Sequence, residues 1–462
     1  MNNLNPADTL HRLAKQAIDN GTVQSIAEAE ALLAGYRLNI EFTVDVGDPV
    51  QQATLLTAVA LARRIFLGGV VVSGSLRIPL TVPLSLGPTL AEAVIQLGGT
   101  VSPAPVELPT IVIGGGRAPQ RGTFAVRTAT AGWCGGILPL DHALQLPARP
   151  PMPLAGMLAA SLAVNEAFLH FNREMPAAGR RLVGLSLWEP SAATDWITSP
   201  VDEPALRYLP SHLWLLGLGH LGQAYLWGLG LLPYRAASGL NLVLQDVDII
   251  TASTESTSIL SDASLIGRKK TRAMATWAKQ RGFETVITER LFDANFKRDV
   301  TEPAIALCGL DNAESRCSLD QVGFDLIVEA GLGRGHRDFR TMRLHTLPGS
   351  RPASEIWKTT PVREIIEGRP AYQRLLAEGI LDRCGMTQLA GKAVGAPFVG
   401  AIAATLVLSE VLRLLHGGGV HNIIDVDLLS FDHRYVSAPR MDFERLNPGF
   451  VAVDRTSEEM AG

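Results

Sequence analysis

Short apolar runs alternate along the chain with longer segments in which apolar residues recur at helical spacing. Runs rich in Val, Ile and Leu lie at 68–74, 109–116 and 123–133, and again at 240–246, 304–312 and 325–333. Strands that alternate with helical segments are typical of doubly wound parallel sheets. The pattern therefore predicts an α/β protein made of two Rossmann-like doubly wound halves.

An apolar helical pattern occurs twice. Pro153 and Pro397 each begin a PxxGxxAA motif, and the apolar stretch after each motif first meets an acid at Glu166 and Glu410. Such a repeat predicts two equivalent helices packed about a pseudo-twofold axis, with chance similarity of two alanine-rich helices as the alternative. The uncharged segment 393–409 is just short of a membrane span and contains a proline, so we expect a buried helix.

The two halves differ in the segments that join their strands. The glycine-rich run 217–222 and a charged stretch at 338–392 occur in the second half without a counterpart in the first, and prolines with mixed charge interrupt the pattern at 199–212. We therefore predict an inactive first domain, 1–205, and an active second domain, 206–462, which carries the insertion 338–392.

Composition narrows the possible functions. The chain has 47% hydrophobic and 19% charged residues and a formal net charge of −4, which gives no indication of a nucleic-acid partner. The N-terminus lacks the apolar core of a signal peptide, and no CxxC pair occurs among the four cysteines. We expect a cytoplasmic protein without a structural zinc site and without a membrane segment.

The run GLGHLG predicts a nucleotide-binding loop between a strand and a helix. Its glycines Gly217, Gly219 and Gly222 would let the backbone approach a phosphate. Asp246, at the end of the next strand, could hold the ribose of either a dinucleotide or ATP. The loop alone therefore leaves both nucleotides open.

The residues after this loop favour ATP. Lys270 comes after a turn in GRKK, and Asp311 and Arg316 lie in DNAESR after a later strand. An adenylation site needs cations for the phosphates and a carboxylate for Mg²⁺, and these residues supply both. The alternatives are a solvated helix start for GRKK and a helix cap for the Asp-Asn pair.

The order of the motifs resembles that of the ThiF/MoeB and ubiquitin-activating-enzyme superfamily: GLGHLG, Asp246-x-Asp248, GxxK and DNxxxR. The later segment PFVGAIAATLVLSEVLRLL resembles the closing helix of that superfamily. The similarity covers 210–416, while the first half is similar to the inactive adenylation halves of eukaryotic activating enzymes. The lack of zinc-binding CxxC pairs favours the conjugation-type enzymes, and the compact form is similar to the activating enzymes of bacterial ubiquitin-like (Bil-type) operons of antiviral defence.

The resemblance implies ATP and Mg²⁺ as cofactors and a ubiquitin-like protein ending in glycine as the substrate. A conjugating enzyme would accept the resulting thioester, and a homodimer is compatible with the family. Lys270, Asp311 and Arg268 would be catalytic, with Asp311 also holding the metal. The nucleotide would be bound by Gly217, Gly219, His220, Leu221, Gly222, Asp246, Asp248, Lys270, Asn312 and Arg316.

One departure from the family pattern concerns an arginine. The superfamily usually has Asn-x-x-Arg-Gln after the second strand, whereas this chain has Thr254 to Ser258 there, with Thr257 at the arginine position. We expect either Arg268 or an arginine from the first half to replace it.

A thioester requires an exposed thiol that can ionise. Cys308 lies in an apolar strand, Cys317 follows Arg316 on a helix, and Cys134 belongs to the half without a glycine loop. Cys384 lies in the insertion among charged residues, so we predict it as the nucleophile, with an incidental loop cysteine as the alternative.

Three other functions stay open at this stage. A sulfur-carrier-protein adenylyltransferase would stop before the thioester, an NAD-dependent oxidoreductase would use the same glycine loop, and a nucleotide-sensing scaffold would have lost catalysis.

Overall fold

A computed structural model describes residues 6–44, 47–115, 124–198, 202–235, 239–358, 370–377, 389–443, 446 and 448–453. The helices are α1 Pro6–Thr9, α2 Arg12–Asp19, α3 Ile26–Ala34, α4 Pro49–Ala62, α5 Leu90–Gln96, α6 Pro153–Phe171, α7 His220–Leu231, α8 Ala252–Glu255, α9 Lys270–Gln280, α10 Ala313–Arg316, α11 Ala353–Ile356, α12 Pro370–Ala377 and α13 Pro397–Leu415.

The first sheet has seven strands in the order β3-β2-β1-β4-β5-β6-β7. They are β1 Leu38–Phe42, β2 Val70–Gly74, β3 Thr100–Ser102, β4 Thr110–Ile113, β5 Ala125–Ala131, β6 Cys134–Pro139 and β7 Val183–Ser186. Neighbours from β3 to β5 run parallel, and β6 and β7 are antiparallel to their neighbours. The strands predicted at 68–74, 109–116 and 123–133 are present.

The second sheet has eight strands in the order β11-β10-β9-β12-β13-β14-β16-β17. They are β9 His212–Leu216, β10 Asn241–Gln245, β11 Glu284–Thr288, β12 Ile305–Cys308, β13 Leu326–Leu332, β14 Thr341–Leu347, β16 Ile423–Asp427 and β17 Tyr435–Val436. Two-stranded ribbons pair β8 Tyr208–Pro210 with β19 Phe450–Ala452, and β15 Val420–His421 with β18 Pro439–Arg440. The parallel strands again come first, so the second sheet repeats the strand order of the first.

The predicted insertion 338–392 begins with a sheet strand. β14 follows β13 in the second sheet as β6 follows β5 in the first. The extra chain in this half therefore lies after Leu347 and before Pro397, where the first half has a short connection from Pro139 to Pro153.

The two PxxGxxAA helices, α6 and α13, pack against each other at the centre of the molecule, where Phe168 and Phe398 have ring centroids 5.7 Å apart. Both helices are long and apolar enough to cross a membrane, but 89% of each apolar window is buried inside the protein. Each begins with proline at the first turn, where the missing N–H costs no hydrogen bond. The buried helix predicted at 393–409 is confirmed.

The acids of the repeat hold the halves together. Glu166 accepts hydrogen bonds from Gly179 N and Arg181 Nε, and Arg181 also donates to the carbonyl oxygens of Leu428 and Leu429 after β16. Reciprocally, Glu410 accepts from His421 N and pairs with Arg413. Arg413 donates to Leu187 O, directly after β7. Each half thus contributes one arginine that binds the other half at the end of an equivalent strand.

Candidate functional site

The glycine loop joins β9 to α7 at the centre of the second sheet, between β10 and β12, where the strand order reverses. Gly217 has φ +82°, and a Cβ on Gly222 would lie 2.0 Å from Gly217 O. Glycine is therefore required at both positions, because α7 approaches the loop backbone closely. The N-terminus of α7 has no side-chain cap, so its backbone N–H groups suit an anion such as a phosphate.

Asp246 and Asp248 bring Lys270 to this loop. Asp246 accepts hydrogen bonds from Leu218 N at 2.7 Å and from Asp248 N at 2.8 Å. Lys270 Nζ lies 2.9 Å from Asp248 Oδ2 and 3.7 Å from Asp246 Oδ2, and its side chain is 11% exposed. A Cβ built on Gly219 would lie 4.0 Å from Lys270 Nζ. The ammonium thus adjoins the position that a phosphate at the loop would take.

The side chains of His220 and Leu221, between Gly219 and Gly222, pack inside the protein. The imidazole of His220 packs on α13, where a Cβ on Gly400 would lie 2.4 Å from its Nε2. Burial lowers the pKa of His220 to about 4, so its ring is neutral at pH 7. Leu221 is buried. We therefore attribute any nucleotide contact of these residues to their N–H groups.

The DN motif follows β12, beside the glycine loop. Asp311 is exposed, whereas Asn312 caps α10 by accepting a hydrogen bond from Glu314 N at 2.9 Å. Arg316 donates to Leu310 O at 2.7 Å and lies 3.1 Å from the buried Glu329. These side chains hold the loop that presents Asp311, and the helix-cap alternative from the sequence describes Asn312.

An arginine from the first half reaches the hydroxyl-rich loop of the second half. Arg12, at the start of α2, donates from Nη2 to Ser253 Oγ at 3.1 Å and from its backbone N–H to Ser256 Oγ at 3.2 Å. Desolvation lowers the pKa of Arg12, while the charges of Asp8 and Asp311 partly offset it. Arg12 therefore lies close enough to Asp311 for their charges to interact.

Arg268 is placed differently. It is exposed, and its backbone carbonyl accepts a hydrogen bond from Ile250 N in the turn that leads to Lys270. Of the two replacements expected for the family arginine, an arginine of the first half is the one that meets this segment: Arg12 reaches the hydroxyl groups of Ser253 and Ser256.

The corresponding place in the first half has different chemistry. There the helix after the central strand, α4, begins at Pro49 behind Asp48, whose Oδ1 accepts hydrogen bonds from Val50 N and Gln51 N. The Asp48 carboxylate would repel a phosphate, and it already accepts hydrogen bonds from the N–H groups at the N-terminus of α4.

The cysteines differ in accessibility. Cys308 and Cys134 are buried, and desolvation raises their pKa values to about 12 and about 11. Cys317 is half-buried and donates to Trp357 O at 3.4 Å. Cys384 lies outside the described residues. The described chain ends at 377 before this cysteine and resumes at 389; in its first part, Tyr372 donates to Asp19 of α2.

Comparison with known proteins identifies the chain. The models of the BilD N-terminal domain and the BilD C-terminal domain match residues 37–187 and 209–418. The bacterial E1-like protein BilD of Collimonas sp. (strain OK412) is 46% identical over 424 residues, which cover 90% of both chains. The chain belongs to the BilD family of bacterial E1-like proteins. The first match spans the strands from β1 to β7, and the second runs from β9 to α13 and ends before β16 and β17.

Solved structures give weaker matches. Escherichia coli MccB with MccA-N7isoASN is 12% identical, with a TM-score of 0.34 over 50% of this chain and 65% of that chain. PaaA is 14% identical, with a TM-score of 0.33 over 49% of this chain and 64% of that chain. The chain thus matches less than two thirds of these two structures.

Sequence reasoning did not single out Arg12. It predicted that an arginine could reach across from the first half, but Arg12 is more than two hundred positions from Ser253 and Ser256 in the chain. Its neighbours in HRLAKQ form an ordinary amphipathic helix, so no local signal separates it from a solvated arginine.

Proposed function

We propose that this BilD-family protein activates the C-terminal carboxylate of a ubiquitin-like protein by ATP-dependent adenylation. A carboxylate oxygen attacks the α-phosphorus, the bond to the β-phosphate oxygen breaks, and pyrophosphate leaves with its electron pair. The second half performs this reaction, and the first half is an inactive adenylation-like domain that supplies Arg12.

The position of Lys270 Nζ carries this proposal. Aspartates at the carboxyl end of β10 hold the ammonium beside Gly219 and the uncapped helix N-terminus. Positive groups fixed before the reaction stabilise the charge that develops on the phosphate in the transition state, without reorganisation. Arg12, bonded to Ser253 and Ser256 of the hydroxyl-rich loop, adds a second cation from the first half.

Asp311 is the residue that we propose to hold Mg²⁺. Magnesium binds through one or two carboxylates together with phosphate oxygens and water, so an exposed carboxylate beside the loop fits it. Among the described residues no group of three or more His, Cys, Asp or Glu side chains could hold a metal. When bound, the ion would neutralise phosphate charge, while Asp311 fixes its place relative to the loop.

The thioester step depends on Cys384. The described cysteines are buried or half-buried, and two of them have raised pKa values, which disfavours the thiolate. The described chain before and after 378–388, the segment that contains Cys384, contacts the first half: Tyr372 donates to Asp19, and Lys392 Nζ lies 3.2 Å from Asp8, one of the charges that act on Arg12. Cys384 is therefore the thiol that we propose as the acyl acceptor. A conjugating enzyme would then accept the acyl group.

Pyrophosphate exchange tests the adenylation step. With a ubiquitin-like protein ending in glycine, the purified chain should exchange labelled pyrophosphate into ATP, and Asp311→Ala should abolish exchange without lowering thermal stability, because an exposed carboxylate adds little to the core. Calorimetric titration with NAD and with ATP·Mg²⁺ distinguishes the proposed adenylation from the alternative of an NAD-dependent oxidoreductase. Affinity for NAD without affinity for ATP would overturn the proposal.

A further inference from the structure

A second arginine of the first half, Arg64, is buried against the second half. Arg64 lies two residues after the end of α4, and the residue is 4% exposed. The guanidinium donates to the backbone carbonyl oxygens of Glu255 at 3.1 Å, Ser258 at 3.2 Å, Ile259 at 2.8 Å and Ser261 at 2.7 Å. A buried guanidinium is costly unless its donors are satisfied, so the segment 255–261 has a fixed shape around Arg64.

Gln223 connects this segment to the glycine loop. The side chain is fully buried in α7, and its Oε1 accepts hydrogen bonds from Leu260 N at 3.1 Å and from Ser261 Oγ at 3.0 Å. Its Nε2 donates to Leu218 O at 3.1 Å. A continuous chain of hydrogen bonds therefore runs from Arg64 through Ser261 and Gln223 to the loop.

The bond to Leu218 O determines the direction of the next N–H group. Leu218 C=O and Gly219 N–H belong to one planar trans peptide, in which they point in opposite directions. Leu218 is also held from its other side, because its N–H donates to Asp246 Oδ2 at 2.7 Å. Holding the Leu218 carbonyl towards Gln223 therefore turns the Gly219 N–H, at the N-terminus of α7, away from Gln223.

We propose that Arg64 and Gln223 are positioning residues that orient the Gly219 N–H towards the nucleotide phosphates, so that the first half shapes the site of the second half. This inference rests on the proposed adenylation, since it takes the loop as a phosphate site. Neither residue would touch the nucleotide; both act through the Leu218–Gly219 peptide.

The first half contains a matched control for Gln223. Gln52 is the fourth residue of α4, as Gln223 is the fourth of α7, and it is also fully buried. Its Oε1 accepts from Thr81 N at 2.8 Å, and its Nε2 donates to Pro79 O at 2.9 Å. Gln52 thus makes the same kind of bonds to the equivalent connection without reaching the glycine loop of the second half.

Comparison of Gln223→Met with Gln52→Met tests the proposal. Both changes remove one buried amide and should lower the unfolding midpoint alike. Gln223→Met should also weaken ATP·Mg²⁺ binding by calorimetry, and raise the KM for ATP in pyrophosphate exchange, by about fivefold to tenfold, the worth of one hydrogen bond. Gln52→Met should leave both unchanged. Equal ATP affinities in the two variants would overturn the inference.

A second pair keeps the test decisive if Gln223→Met fails to fold. Arg281 is also 4% exposed, and it donates to the carbonyl oxygens of Gly230, Leu232 and Tyr234, away from the loop. Arg64→Lys should weaken ATP binding and speed amide exchange at 216–223 in the free protein, and Arg281→Lys should do neither. If the parent protein binds no ATP, the proposed function fails; if it binds ATP and both lysine variants bind equally well, this inference alone fails.

Discussion

Two cations near the glycine loop, Lys270 and Arg12, are held in place by other groups of the protein. Lys270 is fixed by Asp248 and Asp246, whereas Arg12 donates from its guanidinium to Ser253 Oγ and from its backbone N–H to Ser256 Oγ. Fixed cations lose little side-chain freedom when an anion binds, so more of the interaction energy is available for the transition state. The site is preorganised at the level of single residues.

Arg12→Ala should slow pyrophosphate exchange by roughly tenfold to a hundredfold, since it removes a preorganised charge that we propose acts on the reacting phosphate. Arg272→Ala serves as a control, because Arg272 lies on α9 two positions after Lys270 and pairs with Glu289. That variant should exchange at the parent rate. Equal rates for Arg12→Ala and the parent would assign Arg12 to packing between the halves.

Cys384→Ala should leave pyrophosphate exchange intact and abolish the adduct with the ubiquitin-like protein that reducing agents cleave. The steps use different groups, since cations act at phosphorus and the thiolate attacks the finished mixed anhydride. A non-reducing gel with ATP and the partner gives the answer. An adduct that persists in Cys384→Ala and disappears in Cys317→Ala would identify another thiol, and an absent adduct in the parent would favour an enzyme that stops at the adenylate.

His11 should make stability fall in mild acid. Burial lowers its pKa from 6.5 to about 4, and its ring caps α2 at Leu13 N and bonds Arg64 O. His11 is therefore protonated in the unfolded chain below about pH 6.5, but in the folded chain only below about pH 4. Because the unfolded chain binds more protons between these values, the unfolding free energy falls by up to about 3 kcal/mol as the pH decreases through this window.

Urea denaturation at about pH 7 and about pH 5 measures this effect. His11→Gln keeps a donor for Arg64 O and an acceptor for Leu13 N but does not titrate, so its loss between these pH values should be smaller. The same loss in parent and variant would contradict the assignment.

Among the elements, α7 depends on two close backbone approaches. Gly222 lets it approach Gly217, and Gly400 of α13 receives the His220 ring. Both glycines belong to motifs that can be recognised in the sequence. Their contact partners, Gly217 and His220, are identified only by the folded structure.

Gly222→Ala should destabilise the protein by roughly 1–3 kcal/mol and abolish ATP binding, because the new methyl group overlaps Gly217 O and displaces the loop. Gly115→Ala is the control, since a Cβ there meets nothing within 4 Å. Thermal unfolding with calorimetric titration of both variants checks this. ATP binding by Gly222→Ala at parent affinity would show that the loop tolerates displacement.

Elements and local motifs could be predicted from sequence because their signals lie within a few residues. Apolar runs indicated the strands, and proline with small residues indicated α6 and α13. The contacts of Arg12 and Arg64 could not be predicted, since they join positions far apart in the chain and neither residue lies in a motif. The predicted insertion 338–392 includes β14, which alternates polar with apolar residues over 341–345 and pairs with β13 and β16.

At the scale of the whole molecule, two halves with the same strand order carry different chemistry at equivalent places. Asp48 stands where a phosphate would bind in the first half, and the second half leaves that helix N-terminus uncapped. The first half instead contributes Arg12 and Arg64 to its neighbour. We therefore expect nucleotide binding in the second half to require both halves in one folded unit.

The adenylate itself tests the central claim most directly. The parent chain, incubated with ATP·Mg²⁺ and a ubiquitin-like protein ending in glycine, should add one adenylyl group to that protein's C-terminus, detectable by intact-mass spectrometry, and Lys270→Ala should add none. Removal of the terminal glycine carboxylate as an amide should also prevent the addition. A parent chain that binds its partner and ATP yet forms neither the adenylate nor a thioester derived from it would contradict the account.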